Sequence, residues 1–223
     1  MLEDIRNLLA AKGIETQAIS RHQLYFHQDV PYTSHNSSMC TEMDVPKEQI
    51  PEIIDLAAKH LAENHAPGSD PGLCLAQIEE IPDIAELISY GRRAKNSLLT
   101  KEEAYELAKA QNIHLTEHGG TGHGVIGALA GVALRAYGFD GRIKGKIEAG
   151  ASGDKFTVKE LLEKTGFPCA IAINGAELKG DEPITLTEPQ IKAVRINWLS
   201  TIPLTPTKNG NYATLTKNQL KTY

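Results

Sequence analysis

Residues 117–138 read EHGGTGHGVIGALAGVALRAYG, a polar glycine-rich loop followed by an apolar segment with helical spacing. Glycine inside a helix costs about 1 kcal/mol relative to alanine, so the internal glycines need a physical reason. Small residues recur at helical spacing, at Gly124, Gly127, Ala128 and Gly131. This pattern predicts a helix that packs its backbone closely on a neighbouring element. We expect it to end before Gly138, because glycine suits the left-handed position after a helix.

The loop before that helix has three interpretations. The segment Gly122–Gly127 matches G-x-G-x-x-G after a predicted strand, and Glu148 lies about 20 residues further on, as a dinucleotide-binding fingerprint requires. The polar segment RIKGKIE (residues 142–148) argues against this, because parallel strands covered on both faces are apolar. Secondly, backbone N–H groups at a helix N-terminus bind phosphates and carboxylates. Thirdly, the glycines serve close packing alone, which leaves Gly119, Gly120 and Gly122 and the two neighbouring histidines unexplained.

The rest of the chain alternates predicted helices with predicted strands, which favours an α+β fold. Apolar periodicity and capping residues predict helices over 2–12, 46–64, 82–95, 101–111 and 157–165, and strands beginning near 23, 73, 113 and 142. Thr100 and Thr157 are the expected N-caps, and Gly166 the expected helix stop. After Gly150 the sequence changes to short strands and turns. We therefore expect a ligand-binding core over residues 1–150 and a small β-rich subdomain over residues 151–223.

Composition narrows the functional classes. The net charge is −5, so a nucleic-acid partner is disfavoured, since such proteins carry a basic balance. The three cysteines are far apart and form neither a zinc ribbon nor a disulfide framework. No run of about 18 apolar residues and no signal peptide is found. We expect a cytoplasmic protein with no membrane partner.

Three segments carry a family resemblance: VPYTSHNSSM (30–39), SDPGLCLA (69–76) and GGTGHGVIGALAG (119–131). In order and approximate spacing they resemble the middle, ferredoxin-like domain of the archaeal tRNA-isoleucine agmatinylcytidine (agmatidine) synthetases. Those enzymes attach agmatine to a cytidine using ATP. The resemblance covers roughly residues 24–138 and implies a ferredoxin-like α/β sandwich core. It also implies a pocket for a small cationic amine or guanidine near Asp70 and the Gly122 loop.

The sequence departs from the family pattern in several places. The family's kinase-like ATP domain and its zinc ribbon have no counterpart here. A Lys and an Arg of the family pattern are replaced by Thr33 and His35, and a second Arg is replaced by His123. We therefore expect no cofactor, with ATP used only if a partner kinase-like chain supplies the missing domain. A homo-oligomer is the other open arrangement.

The resemblance and the loop chemistry together give a predicted ligand-binding set: Tyr32, His35, Asn36, Asp70, Gly72, Glu117, His118, Gly120, Gly122, His123 and Gly124. A desolvated carboxylate at Asp70 would form a strong charge-assisted hydrogen bond to an ammonium or guanidinium group. The alternative is an Asp that caps local N–H groups in a turn. The histidine spacing matches no metal motif, so we expect no metal.

The expected function is a stand-alone small-molecule-binding protein for an agmatine-like cation. One alternative is a component of an ATP-dependent amine ligase or transferase related to the agmatidine synthetases. A second is a dinucleotide- or phosphate-binding protein that uses the Gly122–Gly127 loop, and a third is a structural protein that lacks the family's chemistry. The sequence identifies no catalytic residue, so whether the protein is an enzyme stays open.

Overall fold

The computed structural model describes residues 1–30 and 36–223 and is a mixed α/β protein. The chain forms two compact units, Met1–Tyr137 and Gly138–Tyr223. The composition change near residue 150 therefore lies inside the second unit. The observed division coincides with the end of the helix that begins at Gly124, where Gly138 adopts a left-handed φ of +78°. That helix end was predicted from the glycine and is confirmed.

The first unit contains five helices and four strands over its described residues. These are α1 (Leu2–Ala11), β1 (Ser20–Gln23), β2 (Ser37–Cys40), α2 (Ile50–Asn64), β3 (Gly72–Leu75), α3 (Ile84–Arg93), α4 (Lys101–Ala110), β4 (His114–Glu117) and α5 (Gly124–Tyr137). β1 pairs with β2 and β3 with β4, both antiparallel. The second pairing sets Gly72 opposite Glu117. Residues that are far apart in sequence, the Asp70 turn and the loop after β4, are thereby brought together.

The helix α5 is the centre of the main apolar core of this unit. Its side chains Val125, Leu129 and Leu134 are fully buried, and they pack with Leu87 of α3 and Ala104 of α4. The start of α4 has the predicted capping box, in which Thr100 and Glu103 exchange side-chain to backbone hydrogen bonds. Helix burial against α5, more than intrinsic propensity, stabilises these short helices.

A second apolar cluster joins α1 to α2. Ile5 and Leu9 of α1 are buried against Ile53 of α2, and Leu73 and Leu75 of β3 pack on the same cluster. Cys74, between these two leucines, packs on the α5 core instead. Alternation along a strand sends successive side chains to opposite faces, so β3 is covered on both sides.

The position of β1 corrects one prediction. The strand was expected to begin at Gln23, but it ends there and begins at Ser20. Ser20 and His22 are fully buried and hydrogen-bonded to each other at 2.7 Å. The buried guanidinium of Arg135 also donates to Ser20 Oγ, at 3.0 Å, and its Nε pairs with Glu42. A buried polar strand has no apolar alternation, so periodicity misses it.

The second unit consists of nine short strands and one helix. These are β5 (Arg142–Ile143), β6 (Ile147–Glu148), β7 (Lys155–Thr157), α6 (Val158–Thr165), β8 (Cys169–Ala172), β9 (Pro183–Thr185), β10 (Gln190–Ile191), β11 (Val194–Ile196), β12 (Leu199–Pro206) and β13 (Tyr212–Thr214). Within this unit the sheet order is β5-β11-β12-β13-β9-β7, with β8 parallel to β12. The predicted Thr157 cap and Gly166 stop of α6 are confirmed.

The segment RIKGKIE differs from its prediction as one strand. It forms two short strands, β5 paired with β11 and β6 paired with β10. Gly145 between them has a φ of +104°, a conformation that L side chains rarely adopt and that interrupts a strand. Across the described ranges, none of the helices has the length and apolar character that a bilayer crossing requires.

Candidate functional site

Asp70 belongs to the turn before β3, and its side chain contacts the loop that precedes α5. Its carboxylate accepts hydrogen bonds from the backbone N–H groups of Thr121 (3.2 Å), Gly122 (3.0 Å) and His123 (2.9 Å), and from the Thr121 hydroxyl (2.7 Å). A carboxylate has about four lone-pair positions, so these four donors occupy most of its capacity. Asp70 therefore acts as the anion at the N-terminus of α5, as the capping alternative expects.

The pKa of Asp70 reflects the same contacts. Burial raises its pKa, but the hydrogen bonds from Thr121 and from the backbone of Gly124, His123 and Gly122 outweigh burial and lower the pKa below its usual value. The carboxylate is thus ionised at neutral pH. It stabilises the loop through charge-assisted hydrogen bonds, which are stronger than neutral ones.

The glycines around Asp70 allow two backbone segments to touch. A Cβ on Gly72 would lie 2.6 Å from the backbone of Gly124, and a Cβ on Gly124 would overlap the Asp70 carbonyl oxygen. Gly120 has a φ of +61°, and its Cβ would lie 2.9 Å from the Asp70 side chain. The Asp-Pro-Gly turn and the Gly122-His123-Gly124 segment are therefore in direct backbone contact, which accounts for the glycines in both motifs.

Glu117 forms a second carboxylate centre beside this loop. The Tyr105 hydroxyl donates to its Oε1 at 2.8 Å, and the Lys101 ammonium lies 2.9 Å from the same oxygen. Lys101 Nζ also donates to the carbonyl of Thr121 at 3.3 Å. A Cβ on Gly122 would overlap Glu117 Oε2, so glycine at this position leaves room for the carboxylate. The Glu117 carboxylate and the Thr121 carbonyl thus both contact the ammonium group of Lys101.

These contacts shift the pKa values of Glu117 and of its hydrogen-bond donor Tyr105. The hydrogen bonds from Lys101 and Tyr105 lower the pKa of Glu117. Burial, followed by the hydrogen bond to Glu117, raises the pKa of Tyr105 to about 12. Glu117 is therefore ionised and Tyr105 is protonated at neutral pH. The side chains of Lys101 and Glu117 are 29% and 37% exposed, so solvent reaches the pair.

The two loop histidines have different surroundings. His123 Nδ1 lies 2.6 Å from the Thr121 hydroxyl and belongs to the Asp70 cluster. His118 Nε2 lies 2.8 Å from the hydroxyl of Thr116, within β4. Asn36 donates to the Tyr25 carbonyl at 2.7 Å, in the connection before β2.

The predicted set is thus brought together in part. The residues that gather around the Asp70 carboxylate are Asp70, Gly72, Gly120, Gly122, His123 and Gly124. Glu117 adjoins them through Gly122, whereas the hydrogen bonds of His118 and Asn36 are to other partners. Tyr32 and His35 lie outside the described residues. Sequence reasoning assigned no role to Lys101, Tyr105 or Thr121. Only the Thr100 cap marked their region, since it fixes where α4 begins.

The sequence also gave no sign of a groove between α3 and α4. A cavity of about 460 Å³ is lined there by Glu86, Glu103 and Glu106, with Tyr90 and Arg93 beside them. Arg93 forms an ion pair with Glu103, so it does not compensate the charges of Glu86 and Glu106. Acidic residues on a helix are usually solvated surface, which is why this pattern predicted no site.

The geometry disfavours the anion-binding interpretations of the loop. The N–H groups of Thr121, Gly122 and His123 already donate to Asp70, whose negative charge also repels a phosphate. β4, which precedes α5, pairs antiparallel with β3, whereas a dinucleotide-binding unit uses parallel strands. Glu148 lies on β6 and pairs with β10 in the second unit. The match to G-x-G-x-x-G follows from capping and packing needs.

Across residues 1–30 and 36–223, no three His, Cys, Asp or Glu side chains gather as a metal-binding group. No family model and no curated protein matches this chain.

Proposed function

We propose that the protein binds a small cationic amine or guanidine at the Glu117 carboxylate and the Thr121 carbonyl. The observation that carries the proposal is the position of the Lys101 ammonium, 2.9 Å from Glu117 Oε1 and 3.3 Å from Thr121 O. These two oxygens suit an alkylammonium or a guanidinium group, which carries donors and no acceptor. A ligand cation would take the place of the Lys101 ammonium.

The exchange of Lys101 for a ligand is physically reasonable. Lys101 lies at the first position of α4, and its side chain has several rotatable bonds, so it can swing into solvent. The ion pair is partly exposed, and exposed pairs contribute little to stability because water and salt screen them. Displacement of Lys101 therefore costs little. The Tyr105 hydroxyl keeps Glu117 oriented in either state.

In this proposal Asp70 positions the loop and makes no contact with the ligand. Its carboxylate holds the N–H groups of Thr121, Gly122 and His123, which fixes where the Thr121 carbonyl points. This differs from the direct role for Asp70 that the resemblance implies. The pairing of Gly72 with Glu117 keeps the turn and the carboxylate in register.

The charge of the first unit supports a cationic ligand. Residues 1–137 contain 11 Lys and Arg against 19 Asp and Glu, a net charge of −8, whereas residues 138–223 contain 12 against 9. A negative field raises the local concentration and association rate of a cation. The resemblance to the agmatine-binding domain agrees in ligand class. From the same resemblance we propose that the core is ferredoxin-like. In agreement with this, α5 contacts strands of both antiparallel pairs, β2 and β3.

Thermal unfolding in the presence of candidate ligands tests this function. Agmatine, putrescine, arginine and ATP are compared on the wild type, because a ligand at 100 times its Kd stabilises by about 2.7 kcal/mol. We expect agmatine or putrescine to raise the Tm and Glu117→Gln to abolish the rise. Lys101→Met removes the internal competitor, so it should increase amine affinity.

The matched control is Lys109→Met, a change of another lysine on α4, which should leave amine affinity unchanged. Stabilisation by ATP and by none of the amines would contradict the proposal. An amine response that survives Glu117→Gln, or that Lys101→Met weakens, would also contradict it. The Tm of each variant without ligand separates loss of folding from loss of binding.

A further inference from the structure

Two histidine side chains contact the hydroxyl group of Thr116 on β4. His114 Nε2 lies 3.3 Å and His118 Nε2 lies 2.8 Å from Thr116 Oγ1. His114 and Thr116 share one face of β4 because side chains alternate, and His118 follows directly after the strand. Since both rings contact one oxygen, their Nε2 atoms are at most about 6 Å apart. Neither ring contacts the Lys101–Glu117 pair through a described hydrogen bond.

The register of the sheet holds this part of β4 in place. His114 pairs with Leu75 and Thr116 pairs with Leu73, and opposed residues of an antiparallel pair share a face. Leu73 and Leu75 are packed on the α1–α2 cluster. Leu115 between the two polar positions is buried in the α5 core. The backbone beneath the two imidazoles is therefore fixed on both sides.

Metal binding depends on the protonation of the two rings. Metal is coordinated by a neutral imidazole through a ring nitrogen that carries no proton. The Thr116 hydroxyl has one proton, so at least one ring must donate from Nε2 to that oxygen. Metal binding would move that proton to Nδ1.

We propose that His114 and His118 form a two-histidine site for a late divalent transition-metal ion, with the two Nε2 atoms as ligands. Imidazole nitrogens suit Zn²⁺, Ni²⁺ and Cu²⁺, and Cu²⁺ binds most tightly in this series. Two nitrogens on one tetrahedral Zn²⁺ lie about 3.3 Å apart, which is within the upper bound of about 6 Å that the shared hydroxyl sets. With two protein ligands the ion keeps open positions for water or a further ligand. The ion is therefore exchangeable, unlike a closed structural site.

Calorimetric titration of the full chain, without a polyhistidine tag, with Zn²⁺ tests the site. We expect saturable binding of one ion, weakened by about tenfold or more in His114→Gln and in His118→Gln, since even indirect supports of a metal contribute this much. The control His123→Gln changes a loop histidine bonded to Thr121 and should leave Zn²⁺ binding unchanged. Binding should also weaken as the pH is lowered, because protons compete with the metal ion for the imidazole nitrogens.

Electron paramagnetic resonance of the wild type loaded with one equivalent of Cu²⁺ tests the ligands without a variant. We expect hyperfine coupling to two imidazole nitrogens. Absence of saturable heat up to about 1 mM Zn²⁺, a weak affinity even for a small ligand, would overturn the site. Coupling to no imidazole nitrogen, or a His114→Gln/His118→Gln double variant that binds like the wild type, would do the same.

Discussion

The two halves of residues 117–138 use glycine for different reasons. In the loop half, Gly122 and Gly124 face a carboxylate and a backbone carbonyl that would overlap any Cβ. In the helix half, a Cβ on Gly127 would meet only the end of the Leu24 side chain, at 3.3 Å, whereas one on Gly131 would overlap Ser38 Oγ. At Gly124 the obstacle is the Asp70 backbone, and at Gly122 the φ of +81° is a conformation that L side chains rarely adopt, whereas the Leu24 and Ser38 side chains can adjust. We therefore expect the loop half to tolerate no side chain at these glycines. In the helix half, the expected cost of a side chain is small at Gly127 and larger at Gly131.

The same comparison separates capping from ligand binding. The N–H groups at the start of α5 have the geometry of an anion site, yet Asp70 fills it from within the chain. The Lys101 ammonium similarly occupies the position beside Glu117 at which we propose that a ligand cation binds. The difference is in reversibility. Asp70 lies on a short turn fixed by backbone contact to Gly124, whereas Lys101 has a long, partly exposed side chain.

The largest effect is expected for Gly124→Ala. The new methyl group would overlap the Asp70 carbonyl and lie 2.8 Å from the Gly72 nitrogen, so the turn must move. We expect a loss of about 3 kcal/mol in the free energy of unfolding, at the upper end of overpacking effects. Urea unfolding followed by circular dichroism measures the loss.

Gly127→Ala is the matched control in the same helix. Only the flexible Leu24 end must adjust, and alanine favours the helix by up to about 1 kcal/mol, so the variant should be neutral or slightly more stable. Equal destabilisation by the two substitutions would remove the distinction between the two halves.

An intermediate effect is expected for Asp70→Asn. The amide cannot supply an ionised acceptor to the three loop N–H groups, and loss of a helix cap costs about 1–2 kcal/mol. The pKa of Asp70 is lowered on folding, so its contribution is complete above its usual value of 3.8 and disappears as the pH falls below it.

Urea unfolding of wild type and Asp70→Asn at neutral pH and near pH 3 measures this dependence. The stability difference should shrink toward acid. A difference that is equal at both pH values would assign the effect to packing and not to charge.

The smallest loss of stability is expected for Gly131→Ala. The methyl group would overlap Ser38 Oγ and lie 2.9 Å from Ser38 Cβ, so the β2 strand must give way slightly. The gain in helix propensity offsets part of this cost, leaving a net loss of about 1 kcal/mol. In a double-mutant cycle measured by thermal unfolding, Ser38→Ala should restore part of the loss. Additive effects would show that Ser38 does not set the constraint.

Local chemistry in the sequence predicted the ends and faces of several elements. Thr100, Thr157, Gly138 and Gly166 act as the cap or stop that their types favour, because capping depends on a few neighbouring residues. β1 was misplaced because its buried side chains, Ser20 and His22, are polar. Arg135, which donates a hydrogen bond to Ser20, lies more than a hundred residues away, so no local pattern signals the burial.

The candidate site was likewise predicted only in part from local chemistry. The family resemblance predicted that the Asp70 turn and the glycine loop contribute to one ligand site, and the residue types beside the loop added Glu117 to the predicted set. The sequence left two roles open for Asp70, and it gave no reason to connect Lys101 or Tyr105 to Glu117. Those connections depend on the pairing of β3 with β4 and the packing of α4 beside them. Hydrogen bonds form by distance in space, and that distance is set when the helices bury their apolar faces on one core.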